Sequence, residues 1–152
     1  MNVYQYQAAL YCEHCGEKIR QRLTADGKAP ANPDDECTYD SDDFPKGPYQ
    51  DGGGNADCPQ HCDSCHCHLE NPLTGEGRHY TKESILDHLC SNDGAEDVIE
   101  TWRTFYPECE PSREEIMHEL LRIALPEVKR HPNPAPKRLR WITTCEQMLE
   151  DA

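Results

Sequence analysis

Two Cys-x-x-Cys pairs constrain this chain more than any other feature: Cys12-Glu13-His14-Cys15 and Cys62-Asp63-Ser64-Cys65. Two thiols three positions apart on a tight turn can both face one ion, and two such turns complete a tetrahedral sulfur site. Zinc is the default occupant of that geometry. Gly16 follows the first pair, where a glycine is expected to relieve the turn after the second sulfur. The spacing therefore points to Cys12, Cys15, Cys62 and Cys65 as ligands, with zinc as the cofactor.

Cys37, Cys58, Cys67, Cys90, Cys109 and Cys145 bring the cysteines to ten. An even number invites a disulfide scaffold. Against it, the first seven residues have neither the basic region nor the apolar core of a secretory leader, and no stretch approaches the roughly 20 apolar residues of a membrane span. A reducing cytoplasm is the expected compartment, where paired cysteines more often hold metal than bridge each other. The run from Cys58 to His68 leaves alternatives open. Cys58, His61, Cys67 or His68 can replace one thiolate or build a second site with Cys37, but only the paired motifs have a mutual spacing that dictates geometry. His14 and His79 read as surface or hairpin residues, and Cys90, Cys109 and Cys145 as small core or surface thiols.

At 152 residues the chain suits one ordinary domain or two very small ones. Only 36% of residues are hydrophobic and two are phenylalanine, so a metal cross-link would help offset a thin core. The formal net charge of −14 repels nucleic-acid phosphates and argues against direct DNA or RNA binding. A four-thiolate zinc site, itself net negative, leaves that conclusion standing.

Patterning predicts an α+β chain: a zinc-ribbon-like part over 1–80 with an acidic insert at 34–57, then a small helical part over 81–152. Tyr4 to Ala8 alternates as a half-buried strand leading into the first pair, and Glu17 to Leu23 forms a short helix stopped by Asp26-Gly27. The insert carries Asp34, Asp35, Glu36, Asp40, Asp42, Asp43, Asp51 and Asp57 against Lys46 alone, a net of −7. With its prolines and Gly52-Gly53-Gly54 it reads as an exposed loop without a core, either a solvated spacer or a recognition surface anchored by Tyr39, Phe44 and Tyr49.

After the second pair, His66–Leu69 and His79-Tyr80 read as a hairpin around the Asn71-Pro72-Leu73-Thr74-Gly75 turn. Thr81 is then expected to cap a helix carrying Ile85, Leu86 and Leu89, stopped by Asn92-Asp93-Gly94. Val98, Ile99, Trp102, Phe105 and Tyr106 make an apolar helical stripe. Ser112-Arg113-Glu114-Glu115 is a capping box opening a helix with Ile116, Leu120, Ile123 and Ala124 inward, Met117 in the core and Pro126 at its end. A proline-rich linker at 131–136 leads to a last helix over 137–149, with Leu139, Ile142 and Leu149 inward.

The segments Tyr11-Cys12-Glu13-His14-Cys15-Gly16-Glu17, Tyr39-Asp40-Ser41-Asp42-Asp43, Gly47-Pro48-Tyr49, Asp51-Gly52-Gly53-Gly54, Pro59-Gln60-His61-Cys62-Asp63 and Leu69-Glu70-Asn71-Pro72-Leu73-Thr74 resemble a group of uncharacterised small proteins of bacteriophages and bacteria. The likeness covers the N-terminal half and implies a phage or mobile-element setting, without an activity to carry over.

Three function classes remain. The first is a non-enzymatic zinc-binding module whose acidic surface and helices contact another protein. The second is directed at nucleic acid: an acidic mimic of phosphate charge that inhibits a DNA-binding host protein, or a direct binder using Lys129-Arg130-His131 and the basic stretch Lys137–Trp141. The third is a thiol redox enzyme, because a strand, Cys12-Glu13-His14-Cys15 and a helix resemble a thioredoxin-like centre. The second cysteine pair explains the first better. The chain also lacks a His-Glu-x-x-His motif and a phosphate-cradling loop, and a four-cysteine site leaves a metal no open position for water. No catalytic residue is expected, and the sequence leaves the oligomeric state open.

Overall fold

A computed structural model describes residues 1–91, 96–130 and 142–144. The chain is α+β, with a three-stranded sheet and several helices, and it divides into two units at Thr81/Lys82. The 131–136 linker, residues 137–141 of the expected basic patch, the expected last helix apart from 142–144, the Asn92-Asp93-Gly94 stop and Cys145 lie outside the described residues.

In the first unit the chain opens with a hairpin rather than one strand. β1 (Val3–Tyr6) pairs antiparallel with β2 (Ala9–Cys12), and Gln7 and Ala8 turn between them at φ 50 and 60. Val3, Tyr4 and Tyr6 are buried while Gln5 is exposed, so alternation was the right signal but the strand ends two residues early. α1 (Glu13–Ala25) starts immediately after β2 and is longer than the sequence suggested. Leu23 on this helix packs with Tyr6 and Phe44.

The acidic insert corrects the expectation of a coreless loop. Its β3 (Lys46–Tyr49) pairs with β1, giving the order β2-β1-β3. Phe44 is 1% exposed and meets Tyr39 edge-on, at 5.7 Å between ring centroids. The Arg20 guanidinium lies over the rings of Tyr4 and Phe44 and donates to the carbonyls of Gly47 (3.1 Å) and Pro33 (3.4 Å). Glu36 accepts from the Gly47 N–H at 2.6 Å and from the Tyr49 hydroxyl at 2.8 Å. Tyr39, Phe44 and Tyr49 thus anchor the insert to its own unit. The acids of the insert other than Glu36 are exposed, as a charged segment at a sheet edge should be.

No hairpin forms after the second pair. His61 and His68 make a single antiparallel bridge, and His79-Tyr80 lie inside α2 (Gly75–Ser91). The Thr74 hydroxyl accepts from the Gly77 N–H (3.1 Å) and so takes the capping role expected of Thr81. Thr81 instead sits buried within the helix, bonded back to the Gly77 carbonyl.

In the second unit α3 (Glu96–Phe105) buries Ile99 and Trp102, with Tyr106 beyond it, but leaves Phe105 exposed. α4 (Arg113–Lys129) begins at the expected capping box and runs through Pro126. Burial of Leu125, with Val128 and Ile142 packed beside it, carries the helix past the hydrogen bond that proline removes. That packing face is Leu121, Leu125 and Val128, so Leu120, Ile123 and Met117 face solvent, contrary to their expected inward placement.

Glu115 accepts from the Ser112 N–H at 2.8 Å and lies 2.6 Å from Lys82 Nζ. The Lys82 ammonium, then the Ser112 N–H, hold its carboxyl down to about 2. A carboxyl depressed below its unfolded value of ~4.3 contributes stability that is fully present above that value and is lost as pH falls through the folded one. Glu115→Gln should cost about 0.5–1 kcal/mol at neutral pH, discounted for exposure. Hydrogen exchange along α4 should show that deficit closing as pH falls from ~4.3 toward the folded value.

Candidate metal centre

The first cysteine pair sits on a strand–helix junction. Cys12 ends β2 and is the N-cap of α1, and Cys15 lies in the first turn of that helix. Unshared N–H groups and the positive end of the helix dipole favour thiolates at this place. Gly16 corrects the expectation of a turn-relieving glycine, because it is helical and buried. A Cβ there would lie 2.3 Å from the Tyr4 ring, so the missing side chain lets α1 rest directly on β1.

The second pair sits on a closed knuckle. The Cys62 N–H donates to the Cys67 carbonyl and the His66 N–H to the Cys62 carbonyl, each at 2.8 Å, with His66 at φ 59. Buried Asn71 holds its base. Its Oδ1 accepts from the Gln60 N–H (2.7 Å), and its Nδ2 donates to the Cys58 and Pro72 carbonyls (3.2 Å each). Gly52 packs so closely here that a Cβ would fall 2.2 Å from the Leu69 carbonyl oxygen, which ties the acidic insert to the knuckle.

Two contacts join the knuckle to the hairpin. The Asp63 N–H donates to the Leu10 carbonyl (2.9 Å), and the Tyr11 hydroxyl donates to Asp63 Oδ2 (3.2 Å). They bring the sulfurs of Cys12, Cys15, Cys62 and Cys65 within 4.8 Å of one another. The Cys12 and Cys65 sulfurs are 3.7 Å apart. A tetrahedron with metal–sulfur bonds of ~2.3 Å has edges of about 3.8 Å, whereas a disulfide needs ~2.05 Å. Cys12, Cys15, Cys62 and Cys65 are in no disulfide. Val3 and Leu69 pack around the buried sulfurs.

The donor set fits a metal ion. Burial, then hydrogen bonding to Cys12, pushes the Cys15 thiol up to about 12. At Cys65 the Cys67 backbone N–H, donating to its sulfur, leads the causes that bring the thiol down to about 6. Crowded sulfurs of this kind cannot all ionise unaided. A bound metal cation would let them do so together.

The remaining candidates separate. Among the described residues these four cysteines are the only group of three or more metal-donor side chains gathered closely enough to hold an ion. Cys58 Sγ accepts from Gln60 Nε2 at 3.2 Å, and Cys37 is exposed. The rings of His61 and His68 lie tilted at 60° with centroids 5.5 Å apart, and burial pushes both imidazoles below their ordinary value. Cys67 packs against the cluster that holds Cys12, Cys15 and Cys62 but is not among the four gathered sulfurs. The Cys-His-Cys spelling at 65–67 was the signal for that packing.

No helix among the described residues is long and apolar enough to cross a membrane. The chain matches no protein-family model, no curated protein and no solved structure.

Gly16→Ala should destabilise the first unit by about 1–3 kcal/mol through overpacking against Tyr4. Gly75→Ala, which meets nothing within 4 Å, should stay within about 0.5 kcal/mol of the parent in the same denaturant titration.

Proposed function

We propose that this chain is a non-enzymatic zinc-binding module that works by contacting another protein. The observation that carries the reading is the gathering of Cys12, Cys15, Cys62 and Cys65 from a helix N-terminus and a knuckle. Four sulfur donors select zinc among the common divalent ions and fill its coordination shell, which is the pattern of a structural rather than a catalytic site. In this reading Cys12 and Cys15 fix the end of the hairpin, Cys62 and Cys65 fix the knuckle, and the bound ion adds folding energy by joining them.

The partner surface is the exposed part of the acidic insert, led by Asp40, Asp42 and Asp43. Such a face suits a basic protein surface and gives an association that weakens as salt rises. The zinc-ribbon-like description rests on the two cysteine pairs, and the phage or bacterial cytoplasmic setting on the likeness of the N-terminal half to small proteins of that origin. A DNA-binding partner released by competing DNA would favour phosphate mimicry over general protein contact.

Elemental analysis of the purified chain should give about one zinc per molecule. A value near zero with the fold intact overturns the reading. Cys12→Ser with Cys15→Ser should abolish that zinc and remove about 5 kcal/mol or more of stability from the first unit, whereas exposed Cys37→Ser should leave both unchanged.

A further inference from the structure

A four-coordinate ion has no need of a fifth thiol, yet one packs against the cluster. Cys67 follows Cys65 by two positions on the closing limb of the knuckle and is half-buried against Cys12, Cys15 and Cys62. Its carbonyl accepts from the Cys62 N–H at 2.8 Å, which seats it at the base of the same knuckle. Left-handed His66 between Cys65 and Cys67, at φ 59, folds the chain back onto Cys62, whose carbonyl accepts the His66 N–H. Cys65 is also the one exposed member of the four sulfurs. It opens on a cleft of about 430 Å³, lined also by His14, Lys18 and Arg22, through which a small molecule can reach it.

We propose that Cys65 and Cys67 form an oxidative modification site, which a hydroperoxide-class oxidant converts into a disulfide that dismantles the metal centre. The proposal rests on the zinc-centre reading above. The Cys65 thiolate attacks one peroxide oxygen. The S–O bond forms as the O–O bond breaks, and the departing hydroxide takes a proton to become water. The Cys67 sulfur then attacks the sulfenic sulfur. The S–S bond forms as the S–O bond breaks, and the second hydroxide leaves as water with the proton of the Cys67 thiol. Two electrons leave the two sulfurs and reduce one hydrogen peroxide to two waters. Cys65 is the point of attack because Cys12, Cys15 and Cys62 are buried. Cys67 resolves it because it stands two residues along the same knuckle and packs against the same cluster. With Cys65 withdrawn, Cys12, Cys15 and Cys62 are too few to retain the ion firmly.

The test treats the full chain, with its metal, with excess hydrogen peroxide. Metal release is followed with a chromogenic chelator, and the disulfides are mapped by peptide mass spectrometry. The wild type should release about one zinc per chain and yield a Cys65–Cys67 disulfide. Cys67→Ser should start with the same zinc content, release it roughly tenfold more slowly, and accumulate Cys65 sulfinic acid. Cys37→Ser should behave as the wild type. Equal release from wild type and Cys67→Ser overturns the proposal, as does mapping to any other pair, including Cys12–Cys65. Should Cys67→Ser fail to fold, the wild-type map alone decides the pairing. A chain that is purified without zinc sinks the metal-centre reading, while the map still judges whether Cys65 and Cys67 pair.

Discussion

The first unit depends on one meeting point, where the N-terminus of α1 and the knuckle at 62–67 bring four sulfurs together. Each side is prepared before they meet. Gly16 lets α1 lie on Tyr4, which fixes where Cys12 and Cys15 point. Asn71 ties down the base of the knuckle. The direct links between the two are few: the Asp63–Leu10 and Tyr11–Asp63 hydrogen bonds, and the apolar contacts of Val3, Leu10 and Leu69. Hydrogen bonds of this kind contribute ~1 kcal/mol each, too little to hold a polar knuckle against a three-stranded sheet in a chain so poor in apolar residues. The sulfurs supply a route to stronger coupling, because a bound ion would gain from all four at once.

The cysteine pairs were legible because their spacing is local and chemical, and it survives whatever fold surrounds it. What was illegible was how the first pair would be presented. A glycine after a second cysteine reads as a turn, whereas here it is a helical residue set by the ring of Tyr4, twelve positions earlier. The insert misled for a related reason. Lys46-Gly47-Pro48-Tyr49 has no β-branched residue and carries a proline, so its pattern denies a strand. The strand exists because Phe44 is buried against Tyr6 and Leu23, Arg20 bridges to Gly47, and Glu36 satisfies the Gly47 N–H. All of these partners are tertiary.

Helix boundaries show the same division. The capping box at Ser112 was readable because both of its hydrogen bonds lie within three residues. The start of α2 was not, because Asn71-Pro72-Leu73-Thr74-Gly75 is turn chemistry that happens to place a capping hydroxyl at Thr74, itself donating to Asp57 seventeen positions back. On α4 the periodicity of Ile116, Leu120, Ile123 and Ala124 was real but is offset from the buried side, since Leu121, Leu125 and Val128 define an equally good stripe. Periodicity alone cannot choose between adjacent stripes; Ile142 does, by packing on Leu125.

Charge in the first unit is unevenly placed, and the unevenness bears on how such a module could work. Four thiolates around a divalent ion leave a net charge of −2, and the chain as a whole is already −14. His14, Lys18 and Arg22 line the cleft where Cys65 is exposed, so the local field there is set by bases on α1 rather than by the acids of the insert. Those bases would offset part of the surplus negative charge of a metal–thiolate centre. The acids, meanwhile, are carried on a segment stapled to the sheet by buried rings and by Glu36, the one insert acid that faces inward. A charged surface held by a rigid sheet edge loses less conformational entropy on docking than the same charges on a free loop. On this account the sulfur cluster and the acidic face are two parts of one arrangement: the cluster fixes the fold to which the insert is tied through Gly52, and the insert then presents its carboxylates in a defined layout.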